Sequence, residues 1–214
     1  MIIRALNKIK EDIKVIYEKD PAAKNLAEVI FCYPGLQALI SHRIAHKLAY
    51  WNVPLIPRLI SYWTRIFTGI EIHPKASIGN RFFIDHGEGV VIGETTIIGD
   101  NCTLYQNVTL GGTGKDQGKR HPTLGSNVMV GSGAKVLGPV TIADNCAIAA
   151  GAVVLINLPE NATAVGVPAR IARINGKKIS DTLDQIAPDD PINSEIEKLN
   201  EEINKLEEEL KKLA

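Results

Sequence analysis

Two short stretches bring together residue types that could move a proton and hold a charged small molecule: Asp85-His86 and Arg120-His121. An imidazole beside a carboxylate can act as a general base, while the carboxylate orients the ring and stabilises its protonated form. Glu71, upstream of the first pair, is a second carboxylate that could serve His86 in the same way. Arginine suits a planar carboxylate, which it can bind through two parallel hydrogen bonds. The glycines of Gly111-Gly112-Thr113-Gly114-Lys115 allow a ligand to approach the backbone closely. Taken singly, these stretches also fit two solvated loop histidines and a flexible loop with no ligand. His42 and His46 stand one helical turn apart, but no third metal ligand accompanies them, so a packed or solvated face is the simpler reading.

The frame that positions these residues is a six-residue repeat. An aliphatic side chain returns at Ile72, Ile78 and Ile84, then from Ile92 to Leu110, then from Leu124 to Val154. Four positions after many of them stands a smaller residue, such as Ala76, Cys102, Ala134, Cys146 or Ala152. This period fits neither an α-helix nor an amphipathic strand; it belongs to the hexapeptide class of parallel β-helix. Three hexapeptides would close one roughly triangular coil, with the aliphatic residue inward and stability arising from stacked coils. An ordinary sandwich would show period two. The phase slips twice, between Ile84 and Ile92 and between Leu110 and Leu124. Insertions in a solenoid become loops, often on the binding face, and each of these carries one of the candidate histidines.

Length and composition set the surroundings. The chain has 214 residues, with Lys+Arg 24 balanced by Asp+Glu 24, so no overall field favours nucleic acid or an anionic membrane. No apolar run is long enough to span a bilayer, and Met1 to Lys10 lacks the apolar core of a signal peptide; the cytoplasm is the expected compartment. Three cysteines make no disulfide framework, and Cys102 and Cys146 fall at the small inward position, where packed thiols are expected. Residues 1–68 read as a helical domain, with Asp20-Pro21 ending a first amphipathic stripe and Asp20 placed to cap the next helix. This block would cover the first coil. The β-helix is expected over 69–174, a polar linker over 175–191, and a coiled-coil helix over 192–214, whose seam runs Ile192, Ile196, Leu199, Ile203, Leu206, Leu210 and Leu213. About three heptads are marginal alone, so the tail calls for other copies of itself.

In combination the motifs become specific. Asp20-Pro21-Ala22, Ile72-His73-Pro74, Asp85-His86, Gly93-Glu94-Thr95, Val108 to Lys115, Arg120-His121-Pro122 and Gly166-Val167-Pro168-Ala169-Arg170 occur in the order found in serine O-acetyltransferases. Over roughly residues 20–173 the chain resembles that family, whose members make O-acetylserine for cysteine synthesis. The resemblance implies a left-handed β-helix, a homotrimer or dimer of trimers, and active sites between neighbouring subunits. It makes His86 the general base on the L-serine hydroxyl, which attacks the acetyl-CoA thioester directly. Asp20, Asp85, Arg120 and His121 match residues that hold the amino acid. Gly111, Gly112, Thr113, Gly114, Lys115, Ser132, Gly133 and Ala134 match the coenzyme A groove, with Lys135 and Arg170 as candidates for its phosphates. Acetyl-CoA is a cosubstrate, no permanent cofactor or metal is implied, and L-cysteine is the expected feedback inhibitor.

One position departs from the pattern. Better-known members carry aspartate before Ile-His-Pro as the partner of the histidine; here Glu71 keeps the charge with one more methylene of reach. Either Glu71 or Asp85 could therefore orient His86. The alternatives to be weighed are another hydroxyl acceptor, a zinc trimer of the carbonic anhydrase type using His73, His86 and His121, and a non-catalytic scaffold. Many members end in an extended tail with a terminal isoleucine that enters O-acetylserine sulfhydrylase. This chain ends Lys212-Leu213-Ala214 on the heptad seam, so no tail-mediated complex with the sulfhydrylase is expected.

Overall fold

An aliphatic residue every six positions can be buried only if the chain turns after each short strand and stacks its coils in register. The structure, a computed structural model, shows this arrangement; it describes residues 2–114 and 117–178, and side chains from Lys8 onward. Three parallel sheets share the repeat. The first contains β1 (Glu71–Ile72), β4 (Val91–Ile92), β7 (Thr109–Gly111), β10 (Lys135–Leu137) and β13 (Val153–Val154). The second contains β2 (Ser77–Ile78), β5 (Ile97–Ile98), β8 (Thr123–Leu124) and β11 (Thr141–Ile142). The third contains β3 (Phe83–Ile84), β6 (Thr103–Leu104), β9 (Met129–Val130), β12 (Ala147–Ile148) and β14 (Ala162–Val165). From β1 to β10 each strand pairs with the third one after it, so Ile72 lies beside Ile92, Ile92 beside Leu110, Leu110 beside Val136 and Val136 beside Val154. Beyond them, β12 pairs with β14.

All the predicted aliphatic positions from Ile72 to Val154 are buried in one continuous core. Each such side chain contributes roughly 1.5–3 kcal/mol relative to exposure. Cys102 and Cys146 are packed among them, and burial pushes the Cys102 thiol up to about 11, away from reactivity. The corners are made largely by residues in the left-handed region: Asn101, Asn127, Asn145 and Asn161 all have φ near +59°. Their amides ladder along the solenoid, Asn101 Nδ2 donating to Asn127 Oδ1 at 2.8 Å and Asn127 Nδ2 to Asn145 Oδ1 at 3.0 Å. Asparagine tolerates this backbone and stitches neighbouring coils.

The end of the solenoid is closed by β15 (Arg170–Ile174), antiparallel to β14, and β16 (Lys177–Lys178), antiparallel to β15. The segment read as a linker, 175–191, thus begins inside a hairpin, because Asn175 and Gly176 supply the positive φ of a tight turn. Its remaining residues from 179, and the predicted coiled coil 192–214, lie outside the described residues.

The helical block consists of α1 (Ile2–Lys19), α2 (Leu26–Cys32), α3 (Pro34–Tyr50) and α4 (Ile56–Thr68). Asp20 does not cap α2: Asn25 does, accepting from Glu28 N–H at 2.8 Å. The reason is distance along the chain, since α2 begins only at Leu26 and an N-cap must immediately precede the first turn. The block grips the first coil. Phe83 of β3 packs with Val15, Ile16, Val29 and Leu36, while its neighbour Ile84 faces the interior of the coil. At the start of α3, a Cβ on Gly35 would sit 2.2 Å from the Ile84 carbonyl oxygen, so only glycine lets the helix lie directly on the strand. Buried Asp12 on α1 takes both Nε and Nη2 of Arg43 at 2.9 and 2.7 Å, and Arg43 also donates to the Gly79 carbonyl at 3.0 Å. These contacts set where α1 ends, and hence where Asp20 stands. No helix among the described residues is long and apolar enough to cross a membrane.

Candidate functional site

The first inserted turn leaves the solenoid directly after β3. His86 has φ +59°, uncommon for a non-glycine residue, and is followed by Gly87 and Gly89, also at positive φ. A Cβ on Gly87 would lie 2.5 Å from Ile70 Cδ1, so the turn presses onto the core and turns the imidazole outward, with its side chain 74% exposed. Asp85 Oδ1 stands 3.9 Å from His86 Nε2. Asp20 reaches the same corner from the end of α1. Its carboxyl is held below the ordinary range by the Tyr33 hydroxyl, then by the Ala22 N–H, and the charge of His86 acts on it as well. Glu71 is engaged elsewhere: Arg65 Nη1 donates to its Oε2 at 2.9 Å. The corner therefore gathers Asp20, Tyr33, Asp85 and His86.

Arg120 and His121 occupy a different corner, on the far side of β4, above the turn Gly93 to Thr96. The His121 ring packs against Gly93, where a Cβ would meet its Cδ2 at 2.0 Å. Thr95 organises the pair. Its hydroxyl oxygen accepts the N–H groups of Arg120 and His121, both at 3.1 Å, and lies 2.9 Å from His121 Nδ1. The Thr95 N–H also donates to Nδ1 at 3.2 Å, so that nitrogen is an acceptor and the neutral ring carries its proton on Nε2. Burial, then Arg120, holds the His121 pKa down, which keeps it a neutral N–H donor. Glu94 fixes the guanidinium, accepting from Arg120 Nη2 at 2.5 Å and from Lys75 Nζ at 3.1 Å. Arg120 first and Lys75 second draw the Glu94 carboxyl down to about 2. No hydrogen bond or ion pair among the described residues joins this group to the His86 corner.

Of the residues matched to a coenzyme A groove, Gly111 ends β7, and Gly112, Thr113 and Gly114 lead exposed into the second insertion; Lys115 lies outside the described residues. Lys135 on β10 donates to the Asn107 carbonyl at 2.5 Å, and Gly133 has φ +71° with open space where a Cβ would be. Ser132 is half-buried, its carbonyl accepting from Gly151 N–H at 2.8 Å, and Arg170 is exposed at the start of β15. Ala134 has its methyl in the core, its N–H donating to the Gly131 carbonyl and its carbonyl accepting from the Thr109 N–H. His42 is buried in α3, and His46 Nδ1 is 2.8 Å from the Pro74 carbonyl, so both serve the contact of helix and coil.

Tyr33 and Lys75 carry no signal in the sequence, and Glu94 and Thr95 stand in a matched motif that gives them no role. Their pairings span 13 to 26 residues of sequence and arise only when coils stack and helices dock, so no local spacing announces them.

A solenoid of hexapeptide coils that displays an imidazole–carboxylate corner defines a transferase of the hexapeptide-repeat class. Residues 121–155 match the family model described as bacterial transferase hexapeptide (six repeats). The chain is 57% identical over 173 residues to the serine acetyltransferase of Synechococcus elongatus, covering 81% of this chain and 70% of the relative. It is 52% identical over 198 residues to that of Staphylococcus xylosus, covering 92% of each. Among solved structures, it resembles Neisseria gonorrhoeae serine acetyltransferase in complex with serine (TM-score 0.77, 36% identity, 80% of this chain and 70% of the other). A serine acetyltransferase complex with cysteine gives TM-score 0.78 at 38% identity, over 79% of this chain and 70% of the other. The Brucella abortus serine acetyltransferase in complex with coenzyme A gives 0.75 at 38%, over 77% and 66%. The chain belongs to the serine acetyltransferase family.

Proposed function

We infer that this chain transfers the acetyl group of acetyl-CoA to the hydroxyl of L-serine, giving O-acetylserine and free coenzyme A. The observation that carries the reading is the His86 corner: an exposed imidazole, set in a left-handed turn, with Asp85 beside it and Asp20 within electrostatic reach. His86 takes the hydroxyl proton as serine Oγ attacks the thioester carbonyl; the C–S bond then breaks and the imidazolium returns that proton to the leaving thiolate. Asp85, the nearest carboxylate, stabilises the imidazolium, while Glu71 stays with Arg65. Asp20 and Asp85 hold the ammonium group of serine. Arg120, preset by Glu94, and the neutral Nε2–H of His121 hold its carboxylate. Gly111 to Lys115, Ser132, Gly133, Lys135 and Arg170 receive coenzyme A, in keeping with the relatives solved with serine and with coenzyme A. L-Cysteine, close in shape to serine and bound in another relative, competes at the same place.

The two halves of this site stand at separate corners of one solenoid, which supports a trimer of left-handed β-helices in which His86 of one subunit faces Arg120 and His121 of the next. Helix α4 supports self-assembly as well: Ile56, Leu59, Trp63, Ile66 and Phe67 are exposed while Ser61 and Thr68 are buried, the reverse of a surface helix in an isolated chain. The function is tested by thiol release from acetyl-CoA with a panel of hydroxyl acceptors. L-Serine should be strongly preferred; equal or better rates with homoserine or a sugar would overturn the assignment.

A further inference from the structure

Tyr33 occupies the joint between α2 and α3, extended at φ −102° and ψ 98° as the residue before Pro34 must be. This backbone aims the phenol back across the helical block at the end of α1. Its hydroxyl donates to Asp20 Oδ2 at 2.6 Å, a short charge-assisted bond. The other oxygen, Asp20 Oδ1, accepts from Ala22 N–H at 2.8 Å, so both carboxylate oxygens are directed and the group cannot rotate. The same carboxylate feels the charge of His86, so the bonded pair of Tyr33 and Asp20 belongs to the His86 corner.

Lys19, adjacent in the chain, does a different job. Its Nζ donates to the Asn101 carbonyl at 3.1 Å and to Thr103 Oγ1 at 2.9 Å, so it anchors the α1 terminus to the solenoid without touching the carboxylate. The backbone of Asp20 is therefore held by one set of contacts and its carboxylate by another. The carboxylate contacts have no part in closing a core, because Tyr33 is only half-buried and belongs to the rim of the smaller apolar cluster.

We propose that Tyr33 is a positioning residue for the amino-acid substrate: its hydroxyl presents the Asp20 carboxylate to the ammonium group of L-serine. This rests on the reading of Asp20 as a substrate-binding group. The hydrogen bond to Asp20, and burial after it, push the phenol's own pKa well up, so it stays a donor throughout the working range.

Tyr33→Phe keeps the ring and removes only the hydroxyl. Steady-state kinetics should show KM for L-serine rising about tenfold, the effect of one hydrogen bond to a charged group, with kcat, KM for acetyl-CoA and Tm unchanged. Combined with Asp20→Asn, Tyr33→Phe should add no further rise, because it acts through that carboxylate. A raised serine KM in Asp20→Asn but not in Tyr33→Phe would leave the Asp20 reading standing and overturn the role of Tyr33. Additive effects in the double variant, or a Tm loss in Tyr33→Phe, would make Tyr33 an independent or merely structural residue and likewise overturn it. An unchanged serine KM in Asp20→Asn would overturn the Asp20 reading, and the inference with it.

Discussion

At the scale of single residues, the proposed chemistry rests on a few polar groups whose backbones are tightly specified. His86→Ala should lower kcat by roughly 100- to 10,000-fold, the range that general-base catalysis supplies, without changing Tm, since the side chain is largely exposed. Near-normal turnover would remove His86 from the reaction. The choice between its two candidate carboxylates is open to a direct comparison. Asp85→Asn should cost more in kcat than Glu71→Gln, because Asp85 is 3.9 Å from the ring and Glu71 is bound by Arg65; the opposite order would transfer the pairing to Glu71. Arg120→Lys should raise the serine KM about tenfold, since an ammonium cannot reproduce the planar fork, and leave that for acetyl-CoA unaltered. A rise confined to acetyl-CoA would reassign Arg120 to phosphate.

At the scale of elements, turns decide where those side chains point. The turn between β4 and β5 has glycine at position 93 because the His121 ring occupies the place of a Cβ, with Nε2 at 2.2 Å from it. Gly93→Ala must push the imidazole away and break its bonds to Thr95, while the nearby aliphatic core stays in place. The expected outcome is a serine KM raised at least as much as in Arg120→Lys, with circular dichroism unchanged and a Tm loss of only a few degrees. Wild-type kinetics in this variant would show that His121 takes no part in binding. On the opposite side of β4, Phe83 and Ile84 clamp the strand that leads into Asp85, one face under the helices and one inside the coil. The His86 corner is thus the end of a strand held on both faces.

At the scale of the whole molecule, the helical block and the solenoid meet through groups that are sensitive to acid. Burial drives the His42 pKa from 6.5 down to about 3, and burial followed by Arg58 drives that of His73 down to about 4. Both are lowered in the folded chain, so the stability they contribute is fully present above about pH 6.5. It is lost as pH falls from there towards 4, because unfolding lets them take up protons. Each such proton steepens the loss by about 1.4 kcal/mol per pH unit. Thermal melts between pH 7.5 and 4.5 should show Tm falling below pH 6.5, and His42→Leu should flatten that limb. A pH profile identical in the variant and the parent would show that His42 does not set it.

Much of this molecule was legible in the order of its residues. The six-residue period, the inward aliphatic and small positions, both insertions and the helical character of residues up to 68 follow from local pattern, because a solenoid coil is built from neighbours in sequence. The motifs around Asp85-His86 and Arg120-His121 stand out as candidate sites for the same reason. Other features depended on tertiary structure alone. The placement of Asn25 rather than Asp20 as the cap of α2 turns on where that helix begins. The bond from Tyr33 to Asp20, the lock of Thr95 on His121 and the hold of Glu94 on Arg120 join segments far apart in the chain. Such contacts depend on how coils stack and how helices dock, so no spacing within the sequence encodes them.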